Sequence, residues 1–237
     1  ARRQRAGRDA RCRSLPGKNP MFKSVVVKEL RDTLGIVCIA LAVYLYFITG
    51  QMGLRAIPWS GGVSDQIPFV GGDTWSWLVL VSVPLAIALG LRQSVAESIR
   101  STWLFLLHRP ADRRRLIGLK LATGVVLYLL CAAAAILTFA WWAATPGTHA
   151  SPFEWSMTLP SWQAWLSLTA IYLSAFLTGI RPARWYGSRL FPLAAAGLLV
   201  SLIQLLPWWW LLGLGAVLLL DAWVVVSILH VARTRDF

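Results

Sequence analysis

Residues 116–144 read LIGLKLATGVVLYLLCAAAAILTFAWWAA, and Lys120 is the single charged residue among them. A helix needs about 20 mostly apolar residues to cross the hydrocarbon core of a bilayer, so this stretch is long enough to span one. The whole chain shares its character: 57% of the 237 residues are hydrophobic and 14% are charged. Soluble domains have about 45–50% and 25%, respectively. The composition indicates a polytopic membrane protein and excludes a soluble enzyme, a disulfide-stapled secreted domain and a nucleic-acid-binding domain.

Five further apolar blocks lie on either side of this stretch, which predicts an all-α fold with six membrane-spanning helices. The predicted spans are residues 34–49, 75–91, 116–144, 162–180, 190–206 and 208–231. The last two meet at Pro207 and therefore predict a tight hairpin.

The segment that precedes the first span, residues 22–33, has an amphipathic pattern. Phe22, Val26, Leu30 and Thr33 recur on one face, and Lys28, Arg31 and Asp32 recur on the other. This pattern predicts a helix that lies in the membrane interface, with Lys28 and Glu29 in its middle.

Residues 1–20 are basic and contain no apolar run, so we do not expect them to be a secretory signal. We expect them to be a disordered extension in front of a six-span domain at residues 21–237. Two interpretations remain open. The segment is either an extension upstream of a start at Met21 or a polybasic arm that lies against anionic headgroups.

The distribution of basic residues predicts the orientation of the spans. With the N-terminus in the cytoplasm, the inner segments hold 22 of the 23 Lys and Arg residues, and the outer connections hold only Arg55. The positive-inside rule then places both termini in the cytoplasm. Of the 14 Trp residues, 11 fall at or near the predicted outer ends, which predicts an aromatic belt there. We expect a multi-pass protein of the cell (inner) membrane.

Motifs for catalysis are missing from the sequence. The Gly17-Lys18 pair is followed by Asn, and no phosphate-binding loop occurs, so the chain is not expected to hydrolyse ATP by itself. No H-E-x-x-H, G-x-S-x-G or paired intramembrane carboxylates occur either. The scattered His and Cys residues suggest no metal site. We expect no enzymatic activity, no cofactor and no metal.

The segment between the second and third spans predicts a short amphipathic helix on the inner surface, at residues 95–109. Its apolar residues Val95, Ile99, Trp103, Leu106 and Leu107 recur at helical spacing, and a proline follows at position 110. On physical grounds alone, such a helix could merely cap the bundle.

This segment resembles the coupling-helix region of the membrane subunits of type-2 ATP-binding-cassette (ABC) exporters. The matching residues are Glu97, Ser101, Thr102, Leu106, Leu107, Pro110, Arg113 and, opening the third span, Lys120. Ser101 departs from the glycine that is usual at its position. The Lys28-Glu29 pair also resembles the N-terminal interfacial helix of that family, and the six-span order matches as well.

The resemblance implies a permease subunit that forms half of a translocation pathway, most simply for export. Its partners would be a second membrane subunit, identical or related, and a separate ABC ATPase subunit that docks on the coupling helix. No nucleic-acid partner is implied. Glu97 would act in coupling, although a solvated charge is the simpler interpretation, and Thr102, Leu106 and Leu107 could simply pack.

Two other functions remain open. One is a non-transporting membrane scaffold or assembly factor. The other is the substrate-capture subunit of a vitamin transporter, for which the bulky first span is a poor fit.

Two of the polar residues inside the predicted spans stand out: Gln204 in the fifth and Asp221 in the sixth. Burying an ionisable side chain within the membrane costs free energy, so such a residue is by default a candidate for a functional role. Asp221 has no second carboxylate or basic partner inside its span, which argues against a proton relay. We expect Asp221 and Gln204 to hydrogen-bond to neighbouring helices.

Overall fold

A computed structural model describes residues 20–53, 67–70, 72–99, 113–146, 152–181 and 186–234. Within these ranges the chain forms helices and no strand, which confirms the all-α prediction. The helices are α1 (Pro20–Gln51), α2 (Gly72–Ile99), α3 (Arg113–Ala144), α4 (Leu159–Ser167), α5 (Thr169–Ile180), α6 (Tyr186–Gln204) and α7 (Leu212–Thr234), with a 3₁₀ turn at Trp155–Thr158 before α4.

Six stretches are long and apolar enough to cross a membrane, as predicted. They are Lys23–Gln51, Thr74–Val95, Arg115–Ala144, Trp155–Ile180, Gly187–Gln204 and Leu212–Arg233. The fourth combines the 3₁₀ turn with α4 and α5. The chain is therefore a multi-pass helical membrane protein.

The segment predicted as an interfacial helix is helical, and it continues without a break into the first span as α1. The side that it turns to the bundle matches the predicted face only in part, since Thr33 of that face is buried but Leu30 is not. Leu30 is 42% exposed, whereas Glu29 and Thr33 are buried. They begin a stripe that continues through Ala40 and Tyr44 to Ile48, so one face of α1 packs on the bundle from Glu29 onward.

The centre of the bundle is α5, and all of its 12 residues are buried. It packs chiefly against α2, α6 and α7, while α1 packs on α2 and α3. At Gly90 the backbones of α2 and α5 come together, since a Cβ there would lie 2.6 Å from the carbonyl oxygen of Tyr172. Such close approach through small residues is typical of helices packed in membranes.

One end of the bundle is rich in aromatic side chains, as the tryptophan pattern predicts. Trp77 is buried between Phe47 and Phe139, with ring centroids 6.1 and 5.9 Å away. Other tryptophans at this end point outward: Trp141 is 74% exposed and Trp208 is 81% exposed. The aromatic residues therefore form a packed cluster in addition to a lipid-facing belt.

The connection between the last two spans runs over residues 205–211, with Pro207 inside it as predicted. Neither helix includes the proline, since α6 ends at Gln204 and α7 begins at Leu212. Trp208 adopts a left-handed conformation with φ 56°, and its carbonyl accepts a hydrogen bond from the amide of Leu211 at 2.9 Å.

Candidate functional sites inside the helix bundle

The predicted coupling segment falls mostly outside the described residues. Ser101, Thr102, Leu106, Leu107 and Pro110 all lie outside them. The backbone at Glu97 belongs to the last turn of α2, and Arg113 is the first residue of α3, but the described side chains include neither. The structure thus describes the two helices that the segment joins.

A buried ion pair links α1 to α3 at this end of the bundle. Lys120 Nζ lies 3.2 Å from Glu29 Oε1, and each side chain is only 4% exposed. One turn further along α1, the hydroxyl of Thr33 donates a hydrogen bond to the backbone carbonyl oxygen of Glu29 at 2.8 Å. Because two charges leave water here, the pair is far more sensitive to loss of one partner than a surface ion pair would be.

The pair extends into a network that reaches α2 and α5. Lys120 Nζ donates to the carbonyl oxygen of Gln93 at 3.4 Å, and the hydroxyl of Tyr172 donates to Gln93 Oε1 at 2.5 Å. At Gly124 a Cβ would overlap both the Tyr172 hydroxyl and Gln93 Oε1. We call Glu29, Gln93, Lys120 and Tyr172 the polar anchor, because these four residues join α1, α2, α3 and α5.

Within the polar anchor, Gln93 lies about two turns before the end of α2 and Lys120 about two turns after the start of α3. The resemblance singled out Glu29 and Lys120 separately but implied nothing about a contact between them. Gln93 and Tyr172 were missed. Their sequence signal is weak, since a glutamine near the end of a span and a tyrosine within one are both common in membrane helices.

A second polar site lies at an interruption of the central span. Between α4 and α5, Leu168 has ψ −6°, whereas an α-helix has about −42°. Ser167 and Thr169 flank it, and their hydroxyls donate to the carbonyl oxygens of Gln163 at 2.6 Å and Leu166 at 2.7 Å. Such back-bonding by Ser and Thr often bends helices.

The two polar residues predicted inside spans five and six meet this interruption from either side. Gln204 Nε2 donates to Ser167 Oγ at 2.8 Å. Thr169 Oγ1 lies 2.7 Å from Asp221 Oδ2 and 2.7 Å from the carbonyl oxygen of Leu166, so its single proton is shared between these two acceptors. We call Ser167, Thr169, Gln204 and Asp221 the polar junction. Interrupted helices that meet polar side chains within the membrane are where many transporters bind their substrates.

Asp221 also faces a groove of about 640 Å³. The groove has walls on α3 and α7 and a floor on α4 and α5, and its described lining is apolar apart from Arg115, Thr169 and Asp221. The second carboxylate oxygen, Oδ1, is buried and has no hydrogen-bond partner among the described residues.

In the described parts of the chain, no group of three His, Cys, Asp or Glu residues could hold a metal ion. Fold and sites together define a multi-pass helical membrane protein with two buried polar sites. Comparisons with protein-family models, curated proteins and solved structures return no match for this chain.

Proposed function

We propose that this chain is the permease subunit of an ABC transporter of the type-2 exporter kind. It would form half of a translocation pathway with a second membrane subunit, and a separate ATPase subunit would drive it. The observation that carries the proposal is the contact between Glu29 and Lys120 at 3.2 Å. The resemblance marked both residues independently, and Lys120 lies about two turns into α3, the helix that follows the segment expected to dock on the ATPase.

The polar anchor supplies a mechanical reason for this arrangement. A force on residues 100–112 acts first on the ends of α2 and α3, which carry Gln93 and Lys120. The contacts of these residues with Glu29 and Tyr172 would pass the movement to α1 and to the central α5. Packed elements held in this way move as rigid bodies between discrete arrangements.

The proposed orientation puts the polar anchor on the cytoplasmic side of the cell membrane, with both termini in the cytoplasm. The described basic residues near the span ends support this orientation. They lie at the starts of α1, α3 and α6 and at the ends of α2, α5 and α7. They include Lys23, Arg92, Arg115, Arg181, Arg189 and Arg233. Alternating spans bring these ends to one side, as the positive-inside rule requires.

The test is co-purification with an ATPase chain encoded beside this one, followed by ATP hydrolysis in lipid nanodiscs. Glu97→Lys reverses a charge, and Leu106→Asp places a carboxylate at a contact expected to be apolar, so each should release the ATPase and reduce hydrolysis at least tenfold. Ser101→Gly is the matched control in the same segment, because it restores the usual family residue and should change neither quantity.

Membrane insertion of every variant is checked first, since neither disruptive substitution lies within a predicted span. If both disruptive variants retain the ATPase and its hydrolysis rate, the coupling assignment fails. A membrane scaffold or assembly factor would then be the better explanation.

A further inference from the structure

Three properties of the groove between α3 and α7 indicate what it could bind. It is of a size that holds small molecules, about 640 Å³ against a usual range of about 300–1,000 Å³. Its surface is overwhelmingly apolar. It contains one carboxylate, Asp221, of which one oxygen accepts from Thr169 while the other has no hydrogen-bond partner in the described structure.

The two charged groups of the groove lie towards opposite ends of it. On α3 the lining runs from Arg115 to Leu129, which is about 21 Å at 1.5 Å per residue. The lining of α7 begins at Asp221 and ends at Leu229, and α7 runs in the opposite direction. Asp221 is therefore at the deep end, beside Thr169, and Arg115 is at the end near the polar anchor.

A carboxylate with an unpaired oxygen in apolar surroundings is costly, and an opposite charge within hydrogen-bond distance offsets that cost. A metal ion is a poor candidate for this charge, because no group of three His, Cys, Asp or Glu is described anywhere in the bundle. An anion would be repelled by Asp221. A protonated amine needs only one acceptor, and an attached hydrophobic body would fill the apolar remainder of the groove.

We propose that this groove binds hydrophobic amines, with the ammonium group donating to the carboxylate of Asp221 and the apolar body lying between α3 and α7. The site goes beyond the proposed function, since binding requires no ATPase. If the chain is a transporter, hydrophobic amines are candidates for its cargo.

The test uses two fluorescent probes that differ in one group. N-dansyl-1,8-diaminooctane ends in an ammonium, and N-dansyl-8-aminooctanol ends in a neutral hydroxyl. Dansyl fluorescence is titrated at pH 7.5 against the purified full chain in lipid nanodiscs, and the signal from empty nanodiscs is subtracted. The wild-type chain should bind the ammonium probe at least tenfold more tightly than the hydroxyl probe, as expected for a hydrogen bond to a charged group.

Three variants locate the site. Asp221→Asn should abolish the preference for the ammonium probe and leave the Kd of the hydroxyl probe unchanged. Ser201→Ala is the control, because it removes a hydroxyl from an exposed position of α6 that belongs neither to the polar junction nor to the groove lining. It should keep the preference. Ala122→Trp fills the groove from an exposed position on its α3 wall, and it should weaken both probes at least tenfold.

Ala122→Trp also keeps the proposal testable if Asp221→Asn does not fold, since residue 122 is exposed. Equal affinity of the wild-type chain for the two probes would overturn the proposal, as would a preference that survives Asp221→Asn. Unchanged binding in Ala122→Trp would overturn it too. A fourth result would also overturn it: the wild-type chain is a dimer that binds neither probe, and Ala122→Trp converts this dimer to a monomer. The groove would then be covered by a second copy of the chain.

Discussion

Breaking the ion pair between Glu29 and Lys120 should destabilise the protein strongly, whereas removing both charges together should not. Each side chain is 4% exposed and the two charged groups are 3.2 Å apart. Replacement of one partner leaves the other charge buried and uncompensated, for which about 3–5 kcal/mol is typical. Since 1.4 kcal/mol is a tenfold change in an equilibrium constant, Lys120→Met should shift the unfolding equilibrium by two to three and a half orders of magnitude, approximately.

The double variant separates this effect from a simple loss of packing. Glu29→Met with Lys120→Met replaces a buried ion pair by apolar side chains of similar length, a change that is often neutral or stabilising. We expect the double variant to be more stable than either single variant, so that the interaction free energy from the cycle is about 3 kcal/mol or more. Lys23→Met is the matched control at an exposed position of α1, with an expected change within about 0.5 kcal/mol.

The assay is the free energy of unfolding in lipid bicelles, measured by steric trapping, with the apparent melting temperature as a second readout. Single variants that lose less than about 1 kcal/mol, the range of exposed ion pairs, would refute the burial argument. A double variant whose loss equals the sum of the single losses would refute the pairing itself.

Three further outcomes are expected. Gly124→Val should destabilise the fold by about 1–3 kcal/mol in the same unfolding assay, because the valine side chain would overlap Tyr172 and Gln93. Gly118→Ala is the control in the same helix. A Cβ there meets nothing within 4 Å, so this change should be neutral or slightly stabilising. Thr169→Val removes the hydrogen bond to Asp221 and should cost about 0.6 kcal/mol and at most about 1.7 kcal/mol, the average and the maximum for hydrogen bonds between membrane helices. Unchanged stability would show that this bond contributes nothing. In a Cys-free background, a cysteine at position 149 should react with an impermeant reagent in intact cells and a cysteine at position 113 should not; the opposite pattern would invert the proposed orientation.

Hydropathy was sufficient to predict the number and order of the spans, because each apolar block is long enough to cross a bilayer and polar segments separate the blocks. The start of the first span was harder to predict, because Glu29 is charged and yet buried. Glu29 and its charged neighbours suggested a surface helix, yet α1 continues through them because the charge of Glu29 is satisfied by Lys120 from α3. A pairing between residues so distant in sequence has no periodic signal.

The interruption at Leu168 was also absent from the prediction. Neither proline nor glycine lies at residues 167–169, so the usual markers of a broken helix are missing. Ser167 and Thr169 bond back to their own helix and also meet Gln204 and Asp221. Gln204 and Asp221 are evident in the sequence, but only the packing of spans five and six against span four brings them to one place.

The complete burial of α5 has a consequence for how the protein is made. Spans one to three leave the ribosome before span four, so during synthesis α2 presents Gln93 and the small surface at Gly90 with no α5 to cover them. The first three spans therefore form an incomplete intermediate, held by the contacts of α1 with α2 and α3. Span four then fills the centre of the bundle. Chains whose synthesis stops before it would expose a polar surface of small residues that membrane quality control can recognise.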